Sequence, residues 1–154
     1  MLVTIPITIV EVEEDGCHLF VECLLNNIQP INLIIDTGAS KTVFDSTLTQ
    51  NFAEMVLKEM EIKSAGVGGD VTLSEFANIP KLQIGSFEMV NFETVLIDLS
   101  HINQIYEPII NRKIWGLIGG DFLLKYKATI DYRKKELILR IRKNKVDSFN
   151  RGQI

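Results

Sequence analysis

Apolar and polar residues alternate over residues 3–12, where Val3, Ile5, Ile7 and Ile9 fall on one face of an extended chain. The stretch EEDG at 13–16 ends this run with a glycine-terminated turn. A second extended segment at 17–25 leads into NNIQP at 26–30, another turn. Residues 31–35 then form a short, almost continuous apolar run, which predicts a strand buried on both faces. The first 36 residues thus read as three strands joined by tight turns, a meander.

The period changes at 47–62. Phe52, Met55, Val56 and Met60 recur at spacings of three and four, which predicts a helix over this segment, with Thr47 or Thr49 as its cap. Residues 64–71 (SAGVGGDV) are glycine-rich and read as a hairpin tip or a tight turn. Strands resume at 71–76, 79–84 and 87–96, the last two joined by the turn IGSF. A short helix is expected at 101–106, capped by Ser100 and ended by Pro108. Next, Leu117 and Ile118 run into Gly119 and Gly120, and Asp121 is expected to cap a short helix at 122–126. A final hairpin spans 128–132 and 137–141 around RKKE. The expected organisation is one mainly β domain at 1–141 followed by a polar, frayed tail at 142–154. The rhythm of parallel βαβ units is missing.

Composition narrows the functional classes. With 154 residues, 46% hydrophobic and 23% charged, the chain can bury a core without disulfide staples. A net charge of -4 argues against a nucleic-acid partner, and the basic stretch at 133–145 reads as a hairpin and the start of the tail. No apolar run reaches the ~18 residues of a membrane span, so no membrane partner is expected. The apolar N-terminus has no basic flank or cleavage site and reads as a strand rather than a signal peptide, which suggests a cytoplasmic location. Cys17 and Cys23 lie six apart, on one face of a strand and too distant to bridge. His18 and His101 have no companions at metal-ligand spacing, so no metal or cofactor is expected.

The chemistry concentrates in NLIIDTGASKTVF, residues 32–44. A buried strand is aimed at Asp36, and Thr37, Gly38, Ala39 and Ser40 follow. A carboxylate at the end of a buried strand is costly unless it is hydrogen-bonded or paired. The plainest reading is an aspartate that opens a turn and holds its own backbone.

The context adds more. LIIDTGAS resembles the active-site loop of aspartic peptidases, and its Ala-Ser is closest to the retroviral-type, retropepsin-like branch. GLIGGDFL at 116–123 resembles that fold's second motif, SAGVGGD stands where the family has its flap, and ATIDYRKKELIL resembles the hairpin that follows. Together these cover about residues 3–141 in the family order. The resemblance implies a closed acid-protease β-barrel with one or two short helices and one lobe per chain. It implies peptide hydrolysis by water held between two carboxylates.

With one Asp-Thr-Gly in the chain, Asp36 would be supplied twice by a C2 homodimer acting on an extended polypeptide. By the same resemblance, Thr37 would bridge the two loops, Gly38 would offer backbone contact, and Ser40 would support Asp36 from behind. Ala39, Ile118 and Gly119 would complete the support, and Ala65, Gly66, Val67, Gly68 and Gly69 would form the flap over the substrate. Viral members carry a basic residue where this chain has Gly120, and the segment 101–114 is longer than in minimal viral enzymes. A catalytically silent peptide-binding or dimerisation module on the same fold is the first rival reading. A small-molecule β-barrel carrier, monomeric with a closed cavity, is the second.

Overall fold

A computed structural model describes residues 1–12, 14, 16–56, 61–62, 72–73, 75–142 and 147–149. The early part of the chain forms β1 (Leu2–Pro6), β2 (Thr8–Val12), β3 (Gly16–Leu25), β4 (Gln29–Ile35), β5 (Val43–Asp45), α1 (Ser46–Thr49) and β6 (Glu54–Val56). Next come β7 (Glu61–Ile62), β8 (Thr72–Leu73), β9 (Glu75–Ile84), β10 (Phe87–Ile97), α2 (Ser100–Ile110) and β11 (Ile114–Ile118). The last elements are α3 (Gly120–Lys125), β12 (Thr129–Asp131), β13 (Glu136–Arg140) and β14 (Asp147–Ser148).

The sheet closes on itself. Strands follow one another as β10-β5-β11-β4-β3-β9, and β9 pairs back onto β10, giving a closed barrel of six strands. Leu33, Phe44, Ile79, Leu82, Met89 and Phe92 fill the core with at most 1% exposure. Each such side chain contributes about 1.5–3 kcal/mol by leaving water. A packed interior of this kind disfavours the carrier reading. A separate three-stranded sheet, β1-β13-β12, ties the N-terminus to the late hairpin. Cys17 and Cys23 are both free, and burial pushes the Cys23 thiol far above its usual range, with the charge of Glu22 adding to the effect.

Several local expectations change. The alternation holds at 3–9 and lapses at Val10 and Val12, and the segment is two strands in two sheets. Pro6 has no N–H to continue the ladder, and Ile7 N–H turns to the carbonyl of Lys135 at 2.9 Å. The long helix over 47–62 does not form. Helix α1 ends at Thr49, its cap is Asp45 rather than Thr47 or Thr49, and Asp45 accepts from Leu48 N–H. Glu54–Val56 instead pairs with β9 in antiparallel register, Met55 opposite Ala77. Pairing along a ten-residue strand outweighs the weak helical preference of a short apolar pattern.

Helix α2 also runs past its expected end. Pro108 lies inside it, and Asn111, at φ 53°, closes it by donating to the carbonyl of Glu107. Ser100 is not its cap: its N–H donates to Asp98 at 2.8 Å. Helix α2 buries no residue completely, but Asn103 exchanges two hydrogen bonds with the backbone of Ile114 and holds it against β11. The tail is not wholly frayed either, since β14 adds to β10 in parallel and Phe149 is fully buried. Among the described residues no helix is long and apolar enough to cross a membrane.

Candidate active site

Strands β4 and β11 run parallel at the centre of the site, Leu33 opposite Gly116, Ile34 opposite Leu117 and Ile35 opposite Ile118. β-branched and leucine side chains favour this doubly buried position. The ladder extends one step further, where Asp36 N–H donates to the carbonyl of Ile118 at 2.9 Å. The backbone of Asp36 is therefore fixed by the strand pair, while its side chain lies half-exposed at the mouth of the loop. One carboxylate oxygen accepts the N–H of Gly38 at 3.0 Å. Ala39 N–H returns to the carbonyl of Asp36 at 3.2 Å, closing a tight turn.

After that turn the chain passes beside β11 and enters β5, which pairs with β11 in the antiparallel sense. This crossing requires glycine twice. A Cβ on Gly119 would stand 2.6 Å from the carbonyl of Lys41, and a Cβ on Gly116 would collide with the carbonyl of Val43. Both clashes are with backbone, which cannot swing aside. The demand at these positions is for close approach and not for an unusual φ.

The loop is locked from the side of α3. Gly120 N–H donates to the carbonyl of Ala39 at 2.7 Å, and Asp121 N–H to the carbonyl of Ser40 at 3.2 Å. Asp121 Oδ1 then accepts from Thr42 N–H at 2.8 Å, from the Thr42 hydroxyl at 2.7 Å and from Phe122 N–H at 2.8 Å. Gly119 N–H donates to Thr42 Oγ1 at 3.0 Å. Asp121 therefore has a structural role, though not the expected one. The N-cap position belongs to Gly119, which makes no side-chain cap bond, and Asp121 clamps the loop to the helix.

The expected site residues fall into three groups. Asp36, Gly38, Ala39, Ile118 and Gly119 come together through the bonds above. Thr37 and Ser40 are exposed, and the contact of Ser40 is through its backbone carbonyl. Thr42, which sequence reasoning missed, ties the end of the loop to Gly119 and Asp121. A hydroxyl entering a buried strand must find a partner, and Thr42, between Lys41 and Val43, carried that signal. Ala65, Gly66, Val67, Gly68 and Gly69 lie outside the described residues. The antiparallel pair β7 and β8, with Ile62 opposite Thr72, stands on either side of them in the sequence.

A family model described as aspartyl protease matches residues 21–122, from β3 through the first turn of α3. Among solved structures, a retropepsin-like aspartic protease from Rickettsia conorii aligns over 90% of this chain and 94% of its own, with a TM-score of 0.52 and 20% identity. The retroviral protease-like domain of Ddi1 from Leishmania major aligns over 88% of this chain and 96% of its own, with a TM-score of 0.50 and 17% identity. At these identities the likeness is one of fold. None of the curated proteins matches the chain. Six-strand closure, the parallel β4–β11 pair and the matched residues together place the chain in the aspartyl protease family, with a retropepsin-like fold.

Proposed function

We propose that this protein is an aspartic endopeptidase that works as a homodimer, with Asp36 of each copy forming the catalytic pair. The observation that carries this reading is the half-exposed Asp36 carboxylate on a backbone fixed by Ile118, with an oxygen left for further chemistry beyond the bond to Gly38. Among the described residues, Asp121 beside the loop is buried and takes up backbone donors, and Asp45, at the far end of β5, is buried and takes up others. Half of a two-carboxylate site is therefore present in one chain, and a two-fold axis beside Thr37 supplies the other half.

Two carboxylates held within hydrogen-bond reach cannot both be ionised, so the pair shares one proton. The charged member takes a proton from the water between them as that water attacks the scissile carbonyl. The protonated member donates to the carbonyl oxygen and stabilises the tetrahedral intermediate. Collapse of that intermediate breaks the C–N bond, with a proton passed to the leaving amine, and regenerates the shared-proton pair. No covalent enzyme intermediate is needed. An extended polypeptide suits a site placed between two lobes, because its backbone groups can pair along the cleft.

The test is cleavage of an unfolded peptide library by the wild-type protein and by Asp36→Asn. Loss of cleavage in the variant is expected. Equal activity in both proteins would remove Asp36 from the mechanism.

A further inference from the structure

Phe149 is fully buried although it lies near the end of a polar tail. It is delivered by β14, which pairs with β10 through Met89–Asp147 and Val90–Ser148, and its carbonyl accepts Glu93 N–H at 2.8 Å. Its ring stacks on Phe92 with centroids 4.6 Å apart and planes 14° from parallel. It also meets Phe122 at 5.9 Å, and the Lys125 ammonium lies 5.0 Å above its ring.

The two rings touched by Phe149 both lead to Thr42, where the active-site loop runs into β5. Phe122 sits in the first turn of α3, and its N–H shares Asp121 Oδ1 with Thr42. Phe92 meets Phe44 at 6.0 Å, and Phe44 belongs to β5, which the loop enters after Thr42. We propose that Phe149 is a positioning residue for the active site, bracing α3 and β5 so that residues 36–42 hold Asp36 in place. It acts through Phe122 on one side and through Phe92 to Phe44 on the other. The kinetic part of the proposal rests on the peptidase reading, and its structural part does not.

The experiment compares the full chain with Phe149→Ala and with Phe149→Leu, which keeps the slot filled. Steady-state cleavage and amide hydrogen exchange are measured well below each protein's melting midpoint. For Phe149→Ala, kcat is expected to fall by about tenfold or more with KM nearly unchanged, since a 1 Å displacement of a reacting group can cost roughly a hundredfold. Exchange at Thr42 N–H should accelerate by about tenfold while that of Leu33 in the central strand stays slow. Phe149→Leu should recover most of kcat.

Unchanged kcat together with unchanged exchange at Thr42 in folded Phe149→Ala would overturn the proposal. If Phe149→Ala fails to fold, Phe149→Val, which also leaves the slot underfilled, takes its place, and wild-type kcat together with wild-type exchange at Thr42 in folded Phe149→Val would overturn the proposal. If the wild-type protein cleaves nothing, the peptidase reading fails, and exchange at Thr42 alone then supports or overturns the brace.

Discussion

Two apolar runs in this chain end at an acid, and the acids meet opposite fates. Leu33-Ile34-Ile35 leads to Asp36, and Leu117-Ile118 leads through two glycines to Asp121. The strands that carry them lie side by side and parallel. Asp121 is 6% exposed and receives three donors on one oxygen, two of them from Thr42. Asp36 is half-exposed, and its side chain receives only the N–H of Gly38 among the described residues. One carboxylate is committed to holding a loop. The other is held by its backbone and, among the described residues, accepts a single internal donor, as the proposed catalytic role requires. Proximity to a buried strand therefore does not separate the two acids; the number of internal donors already satisfied does.

The contrast can be sharpened by removing each acid in turn. The largest effect is expected from Asp36→Asn, which should lower kcat/KM by a factor of about 10² to 10⁴, the usual range for loss of an acid–base group. Its melting temperature should stay close to that of the wild type, as differential scanning calorimetry would check. Asp121→Ala should do the reverse in kind. Loss of its carboxylate leaves the buried Thr42 N–H and hydroxyl without their acceptor, a cost of about 1–3 kcal/mol, read from urea unfolding. If Asp36→Asn destabilised the fold as much as Asp121→Ala does, the distinction between the two acids would collapse.

The smallest effect concerns a third acid, outside the pair. The Ser100 hydroxyl, followed by the Ser100 N–H, holds the Asp98 carboxyl below the usual carboxylate range. A carboxyl depressed in the folded state stabilises the fold above its unfolded value, near about 3.9. That stabilisation disappears as pH falls through the lower folded value. Wild type should therefore melt slightly above Asp98→Ala at neutral pH, and the gap should close in strong acid. A gap that widened on acidification would reverse the sign.

Much of the fold was legible because strand signals are local. The alternation at 3–9, the buried run at 31–35 and the hairpin at 128–141 each carry their own period and turn residues. Asp36, Gly38 and Gly119 were picked out by the resemblance of their motifs, and of the two glycines Gly119 stands at a close backbone approach. The failures lie where distant partners decide. Residues 54–56 became a strand because β9 offered a ladder, and Asp121 became a clamp because Thr42 arrives 79 residues away in sequence. Phe149 looked like part of a loose tail because its partners, Phe92 and Phe122, are visible only in three dimensions.

The most direct test of a shared dyad is a mixing series. Wild-type and Asp36→Asn subunits are allowed to exchange at constant total concentration, and peptide cleavage is measured against the wild-type fraction. If both carboxylates of a two-fold pair are needed, activity follows the square of that fraction and drops to about one quarter in an equal mixture. A linear decline to about one half, with subunit exchange verified by mass spectrometry of the mixed dimers, would show that each chain works alone and would contradict the shared site.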